Sequence, residues 1–182
     1  MHPRLVELVD FLDRQRADLT DAVSGIPVER HTIVPPGGGW SVAEVMEHLV
    51  ILEARVAKAF RLWIAEEKAK GLPPEDATTS VLATVDVRAV TNRSRKVASP
   101  PQGIPSGAMS VAEASRKLDE IRIDMKSAIA EGDGYALERI VRRHPAVGEI
   151  NLYQWIGVTA AHMRRHADQI REIGASLGST AG

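Results

Sequence analysis

An all-α architecture, a single four-helix bundle spanning residues 1–182, is what this sequence predicts. Three observations carry that expectation. Four segments place apolar residues at three- and four-residue steps, the period of an amphipathic helix. Two of those segments open on a capping-box pattern. Stretches rich in glycine and proline separate them, where a helix cannot continue.

The first helix is expected over residues 3–23. Pro3 suits the first helical position, and Leu5, Leu8, Val9, Leu12, Leu19 and Val23 form its apolar stripe. Gly25 and Pro27 end it. Residues 26–39, with the breaker run Pro35-Pro36-Gly37-Gly38-Gly39, read as loop. Ser41 then caps a second helix that extends to about residue 70. Glu44 completes its capping box, and Trp40 is placed to staple onto Val45. Val45, Leu49, Leu52, Val56, Phe60 and Trp63 form its stripe, and Gly71 and Pro73 stop it.

Residues 72–109 lack a sustained amphipathic pattern, and 78–90 are readable as either short helix or extended chain. Ser110, with Glu113 three residues on, starts a third helix through Val111, Ala114, Leu118, Ile121, Met125 and Ile129. Residues 135–151 read as irregular. The last helix is expected over 152–177, and the small, polar tail 178–182 is expected to be frayed. The second-to-third connection is too long for a hairpin turn and can cross the bundle. Helices two and three then run parallel, in up-down-down-up order.

Composition removes several function classes. The chain is 44% hydrophobic and 26% charged, as a folded globular domain is. It has no cysteine, which excludes disulfides, thiolate nucleophiles, iron–sulfur clusters and Cys-ligated zinc. A metal would therefore rest on histidine and carboxylate. The formal net charge of −1 argues against a nucleic-acid partner. No apolar run reaches the length of a membrane span, and charges interrupt the N-terminal stretch where a signal peptide needs an apolar block. A soluble, cytoplasmic protein without a membrane partner is expected. No GxSxG motif or phosphate-binding loop occurs.

Chemistry concentrates in the histidines. His2 is expected to be solvated at the terminus, His31 lies in a polar loop, and His144 precedes Pro145 in a loop. His162 and His166 are four apart, so both project from one helix face and can reach one metal. They fall in the series Trp155, Thr159, His162, His166, Gln169 and Ile173, the seam that faces a bundle core. Two imidazoles in a core need hydrogen-bond partners or a cation. His48, beside the apolar stripe of the second helix, supplies a possible third ligand. A three-histidine set suits zinc, nickel or iron, with one or more coordination positions open. Glu44 is read as a cap, with orientation of His48 as a secondary role. Gln169 is placed to hydrogen-bond near the site, and Arg164, Arg165 and Arg171 are expected on solvated faces.

The run Gly39-Trp40-Ser41-Val42-Ala43-Glu44-Val45-Met46-Glu47-His48-Leu49 resembles the "WSxxExxxHL" opening of the second helix in the DinB-like superfamily. That superfamily includes YfiT-type metal-dependent hydrolases and thiol S-transferases. His144-Pro145, Gly148, Trp155 and the segment from His162 through His166 to Gln169-Ile170 resemble its C-terminal pattern. The resemblance implies an up-down-down-up bundle and one divalent metal, zinc or nickel, on His48, His162 and His166. It also implies a small-molecule substrate, in some relatives with a low-molecular-weight thiol, and a homodimer. Function is thus expected to be a metal-dependent thiol S-transferase or hydrolase, thiol transfer being slightly preferred on family grounds. The alternative is a non-enzymatic metal-binding or dimerising bundle in a stress response.

Overall fold

A computed structural model describes residues 1–94 and 98–178. Four long helices form the bundle: α1 (Pro3–Ser24), α2 (Val42–Ala69), α4 (Val111–Ala130) and α5 (Leu152–Gly178). A five-residue helix, α3 (Val87–Thr91), lies in the crossover between α2 and α4. Gly178 thus closes α5, and the rest of the tail expected to fray, 179–182, lies outside the described residues.

Local chemistry sets the helix starts. Ser41 Oγ accepts from the Glu44 amide while the Glu44 carboxylate accepts from the Ser41 amide, a complete capping box. At α4 only half of the expected box forms. Ser110 Oγ accepts from the Glu113 amide, but the Glu113 carboxylate pairs forward with Lys117 at 3.2 Å. At α5 a reciprocal pair joins Asn151 and Gln154, each side chain accepting from the other's amide at 3.0 Å. His2 is not simply solvated: its Nδ1 accepts from the Arg4 amide as the N-cap of α1.

Side-chain pairs between helices give the direction of each. Arg4 stacks on Tyr153 near the starts of α1 and α5, and Arg171 pairs with Asp18 near their ends, so these two run parallel. Arg122 faces Glu53 and Arg61 pairs with Glu131, so α2 and α4 also run parallel. Lys126 on α4 reaches back to Asp13, and Trp63 on α2 meets Trp155, so the two pairs oppose one another. The order is up-down-down-up, and the crossover makes it possible, because two parallel neighbours need a connection as long as the helices themselves.

One region departs from expectation. Within 135–151, read as irregular, the chain forms an antiparallel hairpin of β1 (Val141–His144) and β2 (Gly148–Asn151), with Val141 opposite Asn151 and His144 opposite Gly148. Gly148 turns the corner at φ 84°. In β1 the exposed positions are Val141 and Arg143 and the half-buried ones Arg142 and His144, and in β2 only Glu149 is exposed, so no apolar period marks the strands. In the undecided stretch 78–90, residues 78–81 form neither helix nor strand, a single 3-10 turn covers Leu82–Thr84, and Asp86 caps the short helix α3 through the Ala89 amide.

The core is two apolar clusters rather than one. The first gathers Leu8, Leu12, Phe60, Met125 and Ile156 toward the end where α1 begins. The second gathers Leu19, Val45, Leu49, Leu118, Met163 and Ile170 toward the other end. Between them lie buried Gln15, Glu53 and Arg122. Glu53 is 1% exposed, and its carboxylate stands 3.6 Å from Arg122 Nη2. Neither of its oxygens, nor Nε or Nη1 of Arg122, has a hydrogen-bond partner among the described residues. Burial pushes the Glu53 carboxyl up to about 7, against the pull of Arg122 and Arg16.

Candidate metal centre

Antiparallel packing of α2 on α5 brings His48, His162 and His166 together in the half of the bundle that holds the second apolar cluster. One ring nitrogen from each lies within 4.8 Å of the other two. Ring centroids are 4.8 Å apart for His48 and His166, 5.5 Å for His48 and His162, and 4.5 Å for His162 and His166. His48 and His166 are buried, and His162 is half-buried. All three sequence-predicted ligands therefore meet.

Hydrogen bonds on the far side of two rings decide which nitrogen faces inward. His48 Nδ1 donates to the Gly103 carbonyl at 2.6 Å, which leaves the lone pair on Nε2. His166 Nδ1 donates to Gln169 Oε1 at 2.8 Å, leaving the lone pair on its Nε2, 3.1 Å from Nε2 of His162. A carbonyl or amide oxygen behind each ring is the usual outer support of a metal-ligating histidine. Burial first, then the neighbouring rings, hold His166 well below the ordinary imidazole value and bring His162 to about 3. His48 is lowered by burial and partly restored by its bond to Gly103. Neutral imidazoles with converging lone pairs, and no carboxylate among them, are a donor set that fits a divalent cation of borderline softness such as zinc or nickel.

The surroundings came from elements that sequence patterns left blank. Gly103 belongs to the crossover. Arg93, also in the crossover, donates to Gln169 Oε1 at 3.4 Å and pairs with Glu172 at 2.7 Å. The Trp40 ring lies 4.8 Å from His48, so this residue covers the site as well as packing on the second apolar cluster with Val45. The Glu44 carboxylate is occupied by Ser41, in its capping role. Gln169 does reach the site. Arg165 and Arg171 are engaged rather than merely solvated: Arg165 donates to the Val90 and Asn92 carbonyls, and Arg171 pairs with Asp18.

Of the histidines outside the trio, His144 lies near enough for its charge to lower the His162 imidazole. His31 Nε2 lies 3.0 Å from the Ile26 carbonyl. His144 accepts from the Ala146 amide at 3.1 Å and lies 4.5 Å from the Trp155 ring, at the hairpin turn. Burial lowers the His144 imidazole. A signal for its placement was present in the sequence, since Trp155 shares the seam of His162 and His166, but the hairpin that carries it there was not read.

Comparisons with known proteins bear on the family and the fold. A family model described as the DinB superfamily matches residues 12–170. The uncharacterized protein YuaE of Bacillus subtilis (strain 168) is 26% identical over 168 residues, covering 91% of this chain and 96% of its own length. The solved structure of YfiT from Bacillus subtilis superposes with a TM-score of 0.61 at 18% identity, over 96% of this chain and 87% of that one. YfiT is described as a probable metal-dependent hydrolase with an unusual four-helix bundle topology. No described helix here is long and apolar enough to cross a membrane. With the family match spanning most of both halves of the bundle, the chain belongs to the DinB superfamily.

Proposed function

We propose that the protein is a divalent-metal-dependent enzyme whose metal is held by His48, His162 and His166, with hydrolysis of a small-molecule substrate as its leading chemistry. The observation that carries this is the convergence of three ring nitrogens within 4.8 Å, two of them aimed by hydrogen bonds from behind. Three protein ligands leave at least one coordination position for a reactant, which a purely structural site would close. The chemistry a divalent cation supplies at such a site is Lewis-acid activation of a water or a thiol near neutral pH.

The chain's own residues have distinct parts in that reading. The Gly103 carbonyl and Gln169 keep His48 and His166 in the ligating tautomer. Trp40 shields His48 from one side. His162 is the least buried of the three ligands.

Hydrolysis is placed before thiol transfer because the structural relative YfiT is described as a hydrolase. Thiol transfer is the second reading, and with no cysteine in the chain the thiol would be a co-substrate. Elemental analysis after loading with zinc or nickel tests the centre. Wild type is expected to retain about one ion per chain and His166→Ala none. Absence of stoichiometric metal in loaded wild type refutes it. An ester and amide panel, run with and without a bacillithiol- or glutathione-like thiol, then separates the chemistries. Turnover that requires the thiol reverses the preference.

A further inference from the structure

The crossover touches the histidine centre at an unusual place. At Gly103, a Cβ would stand 2.9 Å from Leu52 Cδ2 and 3.0 Å from Ser99 Oγ. A side chain at this position would have to push aside the Leu52 and Ser99 side chains, and the bare backbone that packs here, one helical turn beyond His48, delivers the 2.6 Å bond from His48 Nδ1. The residue before His48 grips the same stretch. Glu47, 5% exposed, accepts from the Ser106 amide at 3.0 Å, the Ser106 hydroxyl at 2.6 Å and the Gly107 amide at 2.9 Å. Gly107 takes φ 76°, a left-handed conformation that presents its amide to the carboxylate. A buried carboxylate needs such donors, because ions stripped of water without partners are costly.

We propose that residues 99–107 form a strap that positions His48 for metal, with Glu47 as the positioning residue that anchors it. Metal binding and strap docking are then coupled in both directions. Releasing the strap strips Glu47 of its three donors and frees the His48 ring to rotate and change tautomer. Holding His48 on a cation favours the docked strap by the same factor. Glu47 touches neither metal nor substrate and acts only through the strap. This inference rests on the three-histidine reading above.

The test uses Zn2+ and the full-length protein. Competition against a chromophoric chelator gives the affinity of wild type, Glu47→Ala and Gly103→Ala, each first shown to be folded by circular dichroism. Loss of an outer support to a ligand typically costs about 10–100-fold in metal affinity, and that loss is expected for both variants. Ser110→Ala, which removes the α4 cap just beyond the strap, serves as the control for general destabilisation and is expected to bind as wild type does. In wild type, Zn2+ is expected to slow hydrogen exchange at the Ser106 and Gly107 amides by a similar factor. Folded variants that bind Zn2+ as tightly as wild type overturn the strap while leaving the metal centre standing, as does exchange at 106–107 that ignores Zn2+. Wild type that binds no Zn2+ overturns the metal centre and the strap together. Should Glu47→Ala fail to fold, Gly103→Ala and the wild-type exchange experiment decide.

Discussion

Replacing both members of the Glu53–Arg122 pair with apolar residues of similar size is expected to leave the protein as stable as wild type or more so, whereas replacing either one alone is expected to damage it. The pair is 3.6 Å apart in a layer where Glu53 is 1% exposed and Arg122 6%, and four of its polar atoms lack partners among the described residues. Attraction at that distance, with so few supporting hydrogen bonds, recovers little of the cost of removing two ions from water. Arg122→Met leaves a buried carboxyl that keeps its proton and lacks partners, at an expected cost of about 1–3 kcal/mol, whereas Glu53→Leu strands the Arg122 cation and is expected to cost about 3–5 kcal/mol. The double variant is expected to fall between no change and about 1–4 kcal/mol of added stability.

The pair also leaves a signature in pH. The Glu53 carboxyl sits at about 7 in the fold, raised from 4.5 by burial. Between those values the unfolded chain releases a proton that the folded chain keeps. Stability from this group is therefore full below pH 4.5 and lost as pH rises to 7, a span worth about 3 kcal/mol. Urea unfolding from pH 4.5 to 7.5 reads both effects. The double variant should lack that downward component of the wild-type curve. A double variant destabilised by the sum of the two single losses, or one that keeps the wild-type slope, would show that the layer is a net source of stability and refute the reasoning.

Other expectations follow from single contacts. His162→Ala, like His166→Ala, should abolish retention of zinc or nickel in elemental analysis, because two imidazoles remain where three converged. A methyl group at Gly157 would lie 2.5 Å from Val85 Cγ2, on a stiff β-branched side chain. Gly157→Ala should therefore cost about 1–3 kcal/mol through overpacking, partly offset by helix propensity, and should raise amide exchange over 82–91. Tyr153→Phe removes the hydroxyl that donates to Glu75 at 2.6 Å beside Arg4, and chemical unfolding should report a loss of about 1–2 kcal/mol.

Much of the architecture was legible in single residues because helix starts and stops are local. Ser41 and Glu44 are three apart, and their reciprocal bonds need no tertiary partner. The same holds for Pro3 opening α1 and Gly71 ending α2, whose φ of 87° no other residue adopts readily. The Asn151–Gln154 pair was equally local and readable in principle. The hairpin escaped because its strands lack an apolar period, and a half-buried surface ribbon has no reason to carry one. The Glu53–Arg122 layer escaped because a charged residue in a helix carries no mark of burial until a partner helix covers it.

The histidine centre divides along the same line. Residue spacing alone places His162 and His166 on one face of α5, since one turn of helix separates them. Their meeting with His48 depends on α2 lying antiparallel to α5 in one particular axial register, which is settled by packing between helices far apart in the chain. The Gly103 carbonyl behind His48 and the Arg93–Gln169 contact behind His166 depend on where the crossover comes to rest. No periodicity encodes that resting place. It follows from a missing Cβ at Gly103 and three bonds to Glu47, which acquire meaning only when the two stretches of chain touch.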